Sequence, residues 1–177
     1  MSNSKIERLS LEEVRTRSRR IKLVLTDVDG VLTDTGVYYS GQGEELKRYC
    51  IRDGMGMERL RDIGIMSAMM TREDSPRVES RSKKLNLPYY FAGVMDKREA
   101  LPDVMKRTGV KIDEIAYIGD DVNDIGIIEA LADHGLTATP ADGMLDVQQI
   151  VHYTCAAPGG NGAFRDFAEW IIKHRSQ

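Results

Sequence analysis

The tetrad Asp27-Val28-Asp29-Gly30 constrains the fold of this chain more than any other feature of its sequence. It directly follows the apolar run Ile21-Lys22-Leu23-Val24-Leu25-Thr26. A short run of this kind, ended by two carboxylates and a glycine, predicts a buried strand that delivers acids to its C-terminal edge. In open parallel α/β sheets, ligands bind at that edge. A strand followed by an ordinary polar Asp-Gly turn is the alternative, and the rest of the chain decides between them.

The length and composition predict one globular domain that spans residues 1–177. The hydrophobic content of 41% and the charged content of 30% are ordinary for such a domain. A net charge of −3 argues against nucleic acid as a partner. The first 20 residues are polar, and no apolar stretch approaches the length of a membrane span, so we expect a cytoplasmic protein without membrane contacts.

Apolar runs alternate with helical patterns along most of the chain. Beyond the first run, they predict strands near residues 65–70, 89–91, 115–118, 135–139 and 150–153. The two segments around Ser40-Gly41-Gln42-Gly43 predict a β-hairpin. This alternation indicates a doubly wound, Rossmann-like α/β fold with a parallel sheet, a hairpin insertion and no cap domain.

Capping signals place the helices between these strands. Ser10-Leu11-Glu12-Glu13 is a capping box that opens a basic helical extension within residues 1–20. Asp53 is predicted to cap a helix that ends near Gly64, and Ser75-Pro76 begins the next helix. Further helices are predicted over residues 96–108, where Pro102 should shift the start or bend the helix, and over residues 164–172.

Polar side chains follow three of the predicted strands, and a lysine begins a later helix. They are Asp27 and Asp29, then Thr71, then Asp120 with Asp121 and Asp124, and finally Lys97. Grouped carboxylates call for a hard divalent cation such as Mg²⁺, and a hydroxyl and an ammonium supply donors for phosphoryl oxygens. Taken singly, each group has a structural alternative: a strand-end hydroxyl, a surface ion pair or an acidic helix cap.

The order DxDG, Thr, Lys, GDDxxD resembles the haloacid dehalogenase (HAD) superfamily over most of the chain. The resemblance implies an HAD-like fold and a phosphatase that works through an aspartyl-phosphate. It implies that Asp27 is the nucleophile and Asp29 the general acid and base. It further implies that Thr71 and Lys97 bind the phosphoryl group.

The same resemblance implies a magnesium site. Asp27, Asp120 and the backbone carbonyl of Asp29 would hold the ion, and Asp124 would support these ligands without binding the ion itself.

Five further segments are similar to the capless sugar-acid phosphatases of this superfamily: 27–34, 43–47, 52–54, 116–121 and 159–163. These phosphatases include the 3-deoxy-D-manno-octulosonate (KDO) 8-phosphate enzymes and sialic-acid-type 9-phosphate relatives. The similarity implies a 3-deoxy-2-keto sugar acid phosphate as substrate and a homotetramer in which a neighbouring chain completes the site. The hairpin of residues 38–49 and residues 159–165 would then be interface elements, although a flexible glycine link is the alternative for the second segment.

Several residues bear on the choice of substrate. The resemblance implies substrate contacts at Arg52, Asp53, Gly54, Glu73 and Arg81. After the second strand the chain reads Thr71-Arg72-Glu73, whereas the octulosonate enzymes usually have Thr-Gly followed by Arg or Lys. Glu58 likewise stands where those enzymes tend to have Arg. A glutamate at position 73 resembles the nonulosonate (KDN) 9-phosphate members, so the identity of the sugar acid stays open.

Two other functions use similar residues. A response-regulator receiver domain has clustered acids, a Thr and a Lys, but its Lys follows the last acidic motif, whereas here acids bracket Thr71 and Lys97. A non-catalytic interaction homologue is the second alternative, and an intact set of site residues argues against it.

Overall fold

The computed structural model describes residues 9–176, which form a six-stranded parallel sheet and a separate hairpin. The strands of the sheet are β1 (Leu23–Thr26), β4 (Met66–Met70), β5 (Tyr89–Phe91), β6 (Ile115–Ile118), β7 (Leu136–Thr139) and β8 (Tyr153–Thr154). Their order across the sheet is β5-β4-β1-β6-β7-β8. The antiparallel hairpin consists of β2 (Val37–Ser40) and β3 (Gly43–Lys47). The doubly wound fold and the hairpin insertion are therefore confirmed.

Seven α-helices accompany the strands in this part of the chain: α1 (Leu11–Arg20), α2 (Ile51–Asp62), α3 (Pro76–Lys84), α4 (Leu101–Thr108), α5 (Ile125–Ala132), α6 (Leu145–Gln148) and α7 (Ala163–Arg175). The predicted capping box at the start of α1 is present, since the Ser10 hydroxyl accepts from the Glu13 backbone and the Glu13 carboxylate accepts from Ser10. None of these helices is long and apolar enough to cross a membrane.

Alternate residues of the buried strands pack into two cores on opposite faces of the sheet. Val24 of β1 lies in one core, with Leu60 of α2 and Phe167 of α7. Leu25, the next residue of β1, lies in the other core with α4 and α5. Because successive side chains of a strand point to opposite faces, this two-sided burial explains the continuous apolar run of β1.

Three local predictions were wrong in position. Asp53 does not cap α2, which begins at Ile51 and places Asp53 in its first turn. The helix predicted from residue 96 begins at Leu101, since a proline fits the first turn of a helix but not its interior. The strand predicted at 150–153 is β8, which begins at Tyr153.

The predicted single domain includes residues 1–8 and residue 177, which lie outside the described residues, so the domain assignment stays a prediction. Between β1 and β4, the chain forms only the hairpin and α2, without a cap domain.

Candidate active site

The site lies where the order in which strands are added to the sheet reverses. From β1 the chain passes outwards to β4 and β5, whereas β6, β7 and β8 continue on the other side of β1. The C-terminal ends of β1 and β6 are hydrogen-bonded neighbours, and β4 flanks β1 on its other side. Asp27, Thr71 and Asp120 follow these three strands and line one crevice of about 270 Å³. Such a switch point is the usual ligand site of a doubly wound sheet.

Three carboxylates meet at the base of this crevice. One oxygen atom from each of Asp27, Asp120 and Asp124 lies within 4.8 Å of the others. Burial raises the pKa of Asp27 to about 7, with Lys97 opposing the shift and Asp124 adding to it. Burial, reinforced by the charge of Asp27, raises the pKa of Asp120 to about 8. The cluster therefore resists full ionisation unless positive charge compensates it.

The donor set of this cluster fits a divalent cation. The Oδ1 atom of Asp120 is buried and meets no hydrogen-bond donor in the described chain. Carboxylate oxygens are hard ligands of the kind that Mg²⁺ prefers. An unpaired buried oxygen of this kind costs about 1–3 kcal/mol, so a ligand of opposite charge at this position would remove a penalty.

Asp124 differs from Asp120 because protein donors occupy both of its oxygens. Its Oδ1 accepts from Lys97 Nζ at 2.6 Å and from the Tyr117 hydroxyl at 2.6 Å. Its Oδ2 accepts from the backbone N–H of Asp120 at 2.8 Å. A β-carbon at Gly119 would lie 2.4 Å from the Asp124 carboxylate, so glycine is required for this approach. Asp124 thus holds the Asp120 loop in place, and its role beside a bound ion stays a prediction.

Lys97 lies behind the crevice rather than on the surface, so the structure excludes a surface ion pair for it. It is 1% exposed, and its Nζ is 2.8 Å from Asp27 Oδ1 and 3.0 Å from the Tyr117 hydroxyl. Burial alone would lower the pKa of Lys97, but the charges of Asp27 and Asp124 outweigh burial and raise it. The ammonium is therefore held charged beside Asp27.

Thr71 is buried at the end of β4 and lines the crevice. Its hydroxyl accepts from the backbone N–H of Glu73 at 3.2 Å, so it also orders the loop that follows. Arg72 needs no glycine conformation, because Thr35 and Asn86 are the only non-glycine residues with positive φ in the described chain. The departure from the usual Thr-Gly sequence is therefore compatible with ordinary backbone geometry.

Asp29 lines the crevice, but its carboxylate lies outside the acidic cluster and contacts the hairpin. Its two carboxylate oxygens accept from Lys47 Nζ at 2.9 and 2.8 Å. The same ammonium donates to Glu73 Oε2 at 2.6 Å. Burial alone would lower the pKa of Lys47, but hydrogen bonds to Asp29 and Glu73 outweigh burial and raise it. Glu73 itself lines the crevice, and its contact with substrate, which the resemblance implies, stays a prediction.

The structure does not bring the other predicted substrate residues to this crevice. Arg81 lies in an adjacent basic groove of about 430 Å³ beside Tyr49, and Arg52 is exposed on α2. Gly54 is buried, and a β-carbon there would lie 2.9 Å from Leu85. Asp53 is also buried, and its Oδ1 accepts from the backbone N–H of Arg165 at 3.0 Å. Asp53 therefore caps the start of α7 instead of facing the crevice.

The glycines near residue 160 are tightly packed, which excludes the alternative of a flexible link. A β-carbon at Gly159 would lie 2.0 Å from the backbone oxygen of Gly30, and one at Gly160 would lie 2.4 Å from the Asp34 nitrogen. The Gly160 N–H donates to the Val31 oxygen at 2.9 Å. This segment therefore supports the loop that carries the acidic tetrad of its own chain.

Sequence reasoning missed two residues that hold the site together. Tyr117 lies in the apolar run that forms β6, and its hydroxyl bridges Lys97 and Asp124. The only sequence signal for this role is a hydroxyl group within a strand predicted to be buried. Lys47 ends a hairpin strand, where a basic side chain ordinarily faces solvent.

Comparison with known proteins identifies the family. No protein-family model matches the chain. The 3-deoxy-D-manno-octulosonate 8-phosphate phosphatase KdsC of Haemophilus influenzae is 37% identical over 160 residues, which cover 90% of this chain and 87% of that protein. Among solved structures, the cobalt-bound deoxy-D-mannose-octulosonate 8-phosphate phosphatase of Haemophilus influenzae has a TM-score of 0.85 and 36% identity, covering 90% of this chain and 92% of that one.

A third match is the crystal structure of the Moraxella catarrhalis 3-deoxy-D-manno-octulosonate 8-phosphate phosphatase in complex with magnesium ion, phosphate ion and KDO. It has a TM-score of 0.86 and 32% identity, and the match covers 94% of each chain. These relatives are phosphatases and do not favour a receiver domain or a non-catalytic homologue. With the resemblance in the sequence thus confirmed, the chain belongs to the KDO 8-phosphate phosphatase family of the HAD superfamily, whose members are hydrolases of phosphate monoesters.

Proposed function

We propose that this chain is a Mg²⁺-dependent phosphatase that hydrolyses the phosphate monoester of a 3-deoxy-2-keto sugar acid through an aspartyl-phosphate on Asp27. The convergence of Asp27, Asp120 and Asp124 beside the buried ammonium of Lys97 is the observation that carries the proposal. It supplies a nucleophile, a cation site and a phosphate-binding cation within one crevice. Relatives named for an octulosonate 8-phosphate substrate support the choice of substrate class.

Mg²⁺ would be held by Asp27, Asp120 and the backbone carbonyl of Asp29. The unpaired buried oxygen of Asp120 supports this ligand set. The Moraxella relative, crystallised with magnesium and phosphate, supports the identity of the ion. When bound, the ion supplies positive charge that offsets the negative charge of the carboxylates and of the phosphoryl oxygens.

The protein side chains would carry out two displacements at phosphorus. In the first, a carboxylate oxygen of Asp27 bonds to phosphorus, the bond to the sugar oxygen breaks, and that oxygen takes a proton from Asp29. In the second, water bonds to phosphorus and gives its proton to Asp29, while the bond to Asp27 breaks and inorganic phosphate leaves. Lys97 and Thr71 would hold the phosphoryl oxygens in both steps.

Lys97 is suited to this role because its position is fixed before any ligand arrives. Its ammonium contacts Asp27, Asp124 and the Tyr117 hydroxyl, and its side chain is almost completely buried. A preorganised charge of this kind needs no rearrangement when charge develops on the phosphoryl oxygens.

Substrate selection would involve Glu73 at the crevice and the basic residues beside it. Glu73 repels a substrate carboxylate but accepts hydrogen bonds from hydroxyls or an amine. Arg81 in the adjacent groove, together with the exposed Arg52, supplies positive charge for an acid. Both the eight-carbon KDO 8-phosphate and a nine-carbon nonulosonate 9-phosphate therefore fall within the proposed class.

The same proposal includes a cytoplasmic homotetramer in which a neighbouring chain closes the crevice. The hairpin exposes large side chains, with Tyr38 64%, Tyr39 70% and Leu46 63% accessible. Exposed aromatic side chains close together are typical of an interaction surface. No cap domain covers the crevice within residues 9–176, so a neighbouring hairpin would supply a wall that limits access of water.

A phosphate-release panel tests the function directly. The purified protein is incubated with KDO 8-phosphate, KDN 9-phosphate and simple alkyl monoesters, each with Mg²⁺ and with a chelator. We expect release from at least one keto-sugar acid phosphate at a kcat/KM at least about a hundredfold above that of the simple esters, which corresponds to ~2.7 kcal/mol of selective binding. Equal rates on all esters, or release that persists in the chelator, would contradict the proposal.

A further inference from the structure

The side chain of Lys47 occupies an unusual position for the last residue of a hairpin strand. It is shielded from solvent completely, and its ammonium contacts three carboxylates. Both oxygens of Asp29 lie within 2.9 Å, Glu73 Oε2 lies at 2.6 Å and Glu44 Oε2 at 3.5 Å. An ordered lysine side chain loses rotamer freedom, and these contacts offset that loss.

Little else fixes the carboxylate of Asp29. Its other hydrogen bond is a long one, from the Thr33 hydroxyl at 3.3 Å. The Asp29 side chain is about one-third exposed, and its carboxylate does not belong to the acidic cluster at the base of the crevice. The direction of this carboxylate is therefore set mainly by Lys47.

The position of Lys47 depends in turn on the contacts between strand β3 and helix α3. Glu44 accepts from the Ser75 hydroxyl at 2.8 Å, at the start of α3. The Arg77 side chain donates to the backbone oxygen of Glu45 at 3.2 Å. Strand β3 is thus attached to α3 at two points, and this attachment defines where the ammonium of Lys47 lies.

We infer that Lys47 is a positioning residue that aims the Asp29 carboxylate at the oxygen atoms that exchange protons during the reaction. This inference rests on the proposed function, in which Asp29 gives a proton to the leaving oxygen and takes one from the attacking water. Two bonds from one ammonium restrict both side-chain torsions of Asp29, and a catalytic proton donor needs this restriction. The hairpin therefore takes part in the chemistry of its own chain.

Leaving-group dependence tests this role. Phenolate is a poor leaving group that needs protonation, whereas p-nitrophenolate leaves without a proton. For Lys47→Met, we expect kcat/KM to fall at least about tenfold more with phenyl phosphate than with p-nitrophenyl phosphate, because general acid catalysis contributes about 10²–10⁴-fold. The two esters have similar shapes, so the ratio cancels changes in binding and in the folded fraction.

A second measurement tests the step in which Asp29 accepts a proton from the attacking water. If Asp29 is misplaced, hydrolysis of the aspartyl-phosphate slows, so Lys47→Met should release one equivalent of p-nitrophenolate per chain in a burst before the steady state. The wild-type protein should show a smaller burst or none.

Two variants complete the experiment. Lys47→Arg keeps a cation that can bind both oxygens of Asp29, and we expect it to restore the ester ratio to within about threefold. Arg48→Met removes the neighbouring hairpin cation, which binds Asp34 and the Gly160 oxygen but not Asp29, and should leave the ratio unchanged. If Lys47→Met does not fold, the same ratio of kcat/KM values is measured for Lys47→Gln.

An equal loss of kcat/KM on both aryl esters, or no loss, would overturn the role of Lys47. Failure of the proposed function has a different signature: the wild-type protein would hydrolyse neither keto-sugar acid phosphate, whatever the aryl esters show.

Discussion

Gly30 and Asp120 approach each other so closely that only a glycine fits. A β-carbon on Gly30 would lie 1.9 Å from Asp120 Oδ2, and the Gly30 backbone has a φ of +89°. A glycine at position 30 is thus required for Asp120 to reach the crevice. The two residues are 90 positions apart in sequence, but the position of one depends on the other.

Replacement of Gly30 by alanine should therefore displace Asp120 and weaken cation binding. We expect the affinity for Mg²⁺ to fall at least about tenfold, since changes that disturb the support of a ligand typically cost 10–100-fold. Isothermal titration with Mg²⁺ measures this change without any assay of activity.

The matched control is Gly64→Ala. Gly64 has a similar φ of +79°, but a β-carbon there meets no atom within 4 Å among the described residues. Both variants carry the backbone strain of a left-handed alanine, about 1–2 kcal/mol, whereas only Gly30→Ala adds the clash. Equal Mg²⁺ affinities in the two variants would refute the proposed coupling.

Asp27→Asn should abolish phosphate release while the fold stays intact. The amide cannot form an aspartyl-phosphate, so we expect kcat to fall at least about a thousandfold, as for removal of other catalytic nucleophiles. Because burial already raises the pKa of Asp27 to about 7, a neutral side chain is well tolerated at this position. Thermal unfolding monitored by circular dichroism checks the fold, and turnover retained in the variant would remove Asp27 from the nucleophile role.

The convergence of the acidic residues at one edge of the sheet could be predicted from the sequence because its signals are local. Each strand is a short apolar run that ends in polar residues, and parallel strands must place those ends at one edge of the sheet. Asp27, Thr71 and Asp120 follow directly from this rule. Their convergence needed no knowledge of side-chain packing.

The misplaced and missed residues depend on contacts between distant parts of the chain. Asp53 has the residue type of a cap for its own helix, but it caps α7, 112 residues further on. Lys47 reaches Asp29 across 18 residues and Glu73 across 26. Capping and patterning rules describe neighbours in sequence, so they do not predict pairs of this kind.

Glu73→Arg should shift substrate preference towards the eight-carbon acid. The exchange places a cation at the crevice where the octulosonate enzymes usually carry one, and it removes a charge that repels a substrate carboxylate. We expect the ratio of kcat/KM for KDO 8-phosphate to that for KDN 9-phosphate to rise at least about tenfold, or ~1.4 kcal/mol. Steady-state kinetics with both esters measure this ratio.

The control for charge is Glu79→Arg. The two glutamates have similar exposure, 52% for Glu73 and 50% for Glu79, but Glu79 pairs with Lys83 on α3 outside the crevice. The same change in net charge there should leave the ratio unaltered. A ratio that does not move in Glu73→Arg would exclude Glu73 as the selecting residue.

The buried cap Asp53 should make stability depend on pH. Burial raises the pKa of Asp53 to about 6 from a usual value of 3.8, although hydrogen bonds from Arg165 and Gly162 oppose the shift. Between these values the folded state binds more protons than the unfolded state, so the contribution of Asp53 to stability falls as pH rises from about 4 to 6. Asp53→Asn, which keeps an oxygen acceptor without the charge, should gain up to about 2–3 kcal/mol relative to the wild-type protein over this range.

Urea unfolding at pH 4, 5, 6 and 7 measures the difference in free energy between the two proteins. Asp103→Asn, at an exposed position on α4, gives the reference for the same chemical exchange. Because the wild type and the variant share every other titrating group, the pH dependence of their difference isolates Asp53. A difference that stays constant with pH would show that the capping bonds to α7 balance the cost of burying the carboxylate, and one that falls as pH rises would show that they outweigh it; either result would contradict the prediction.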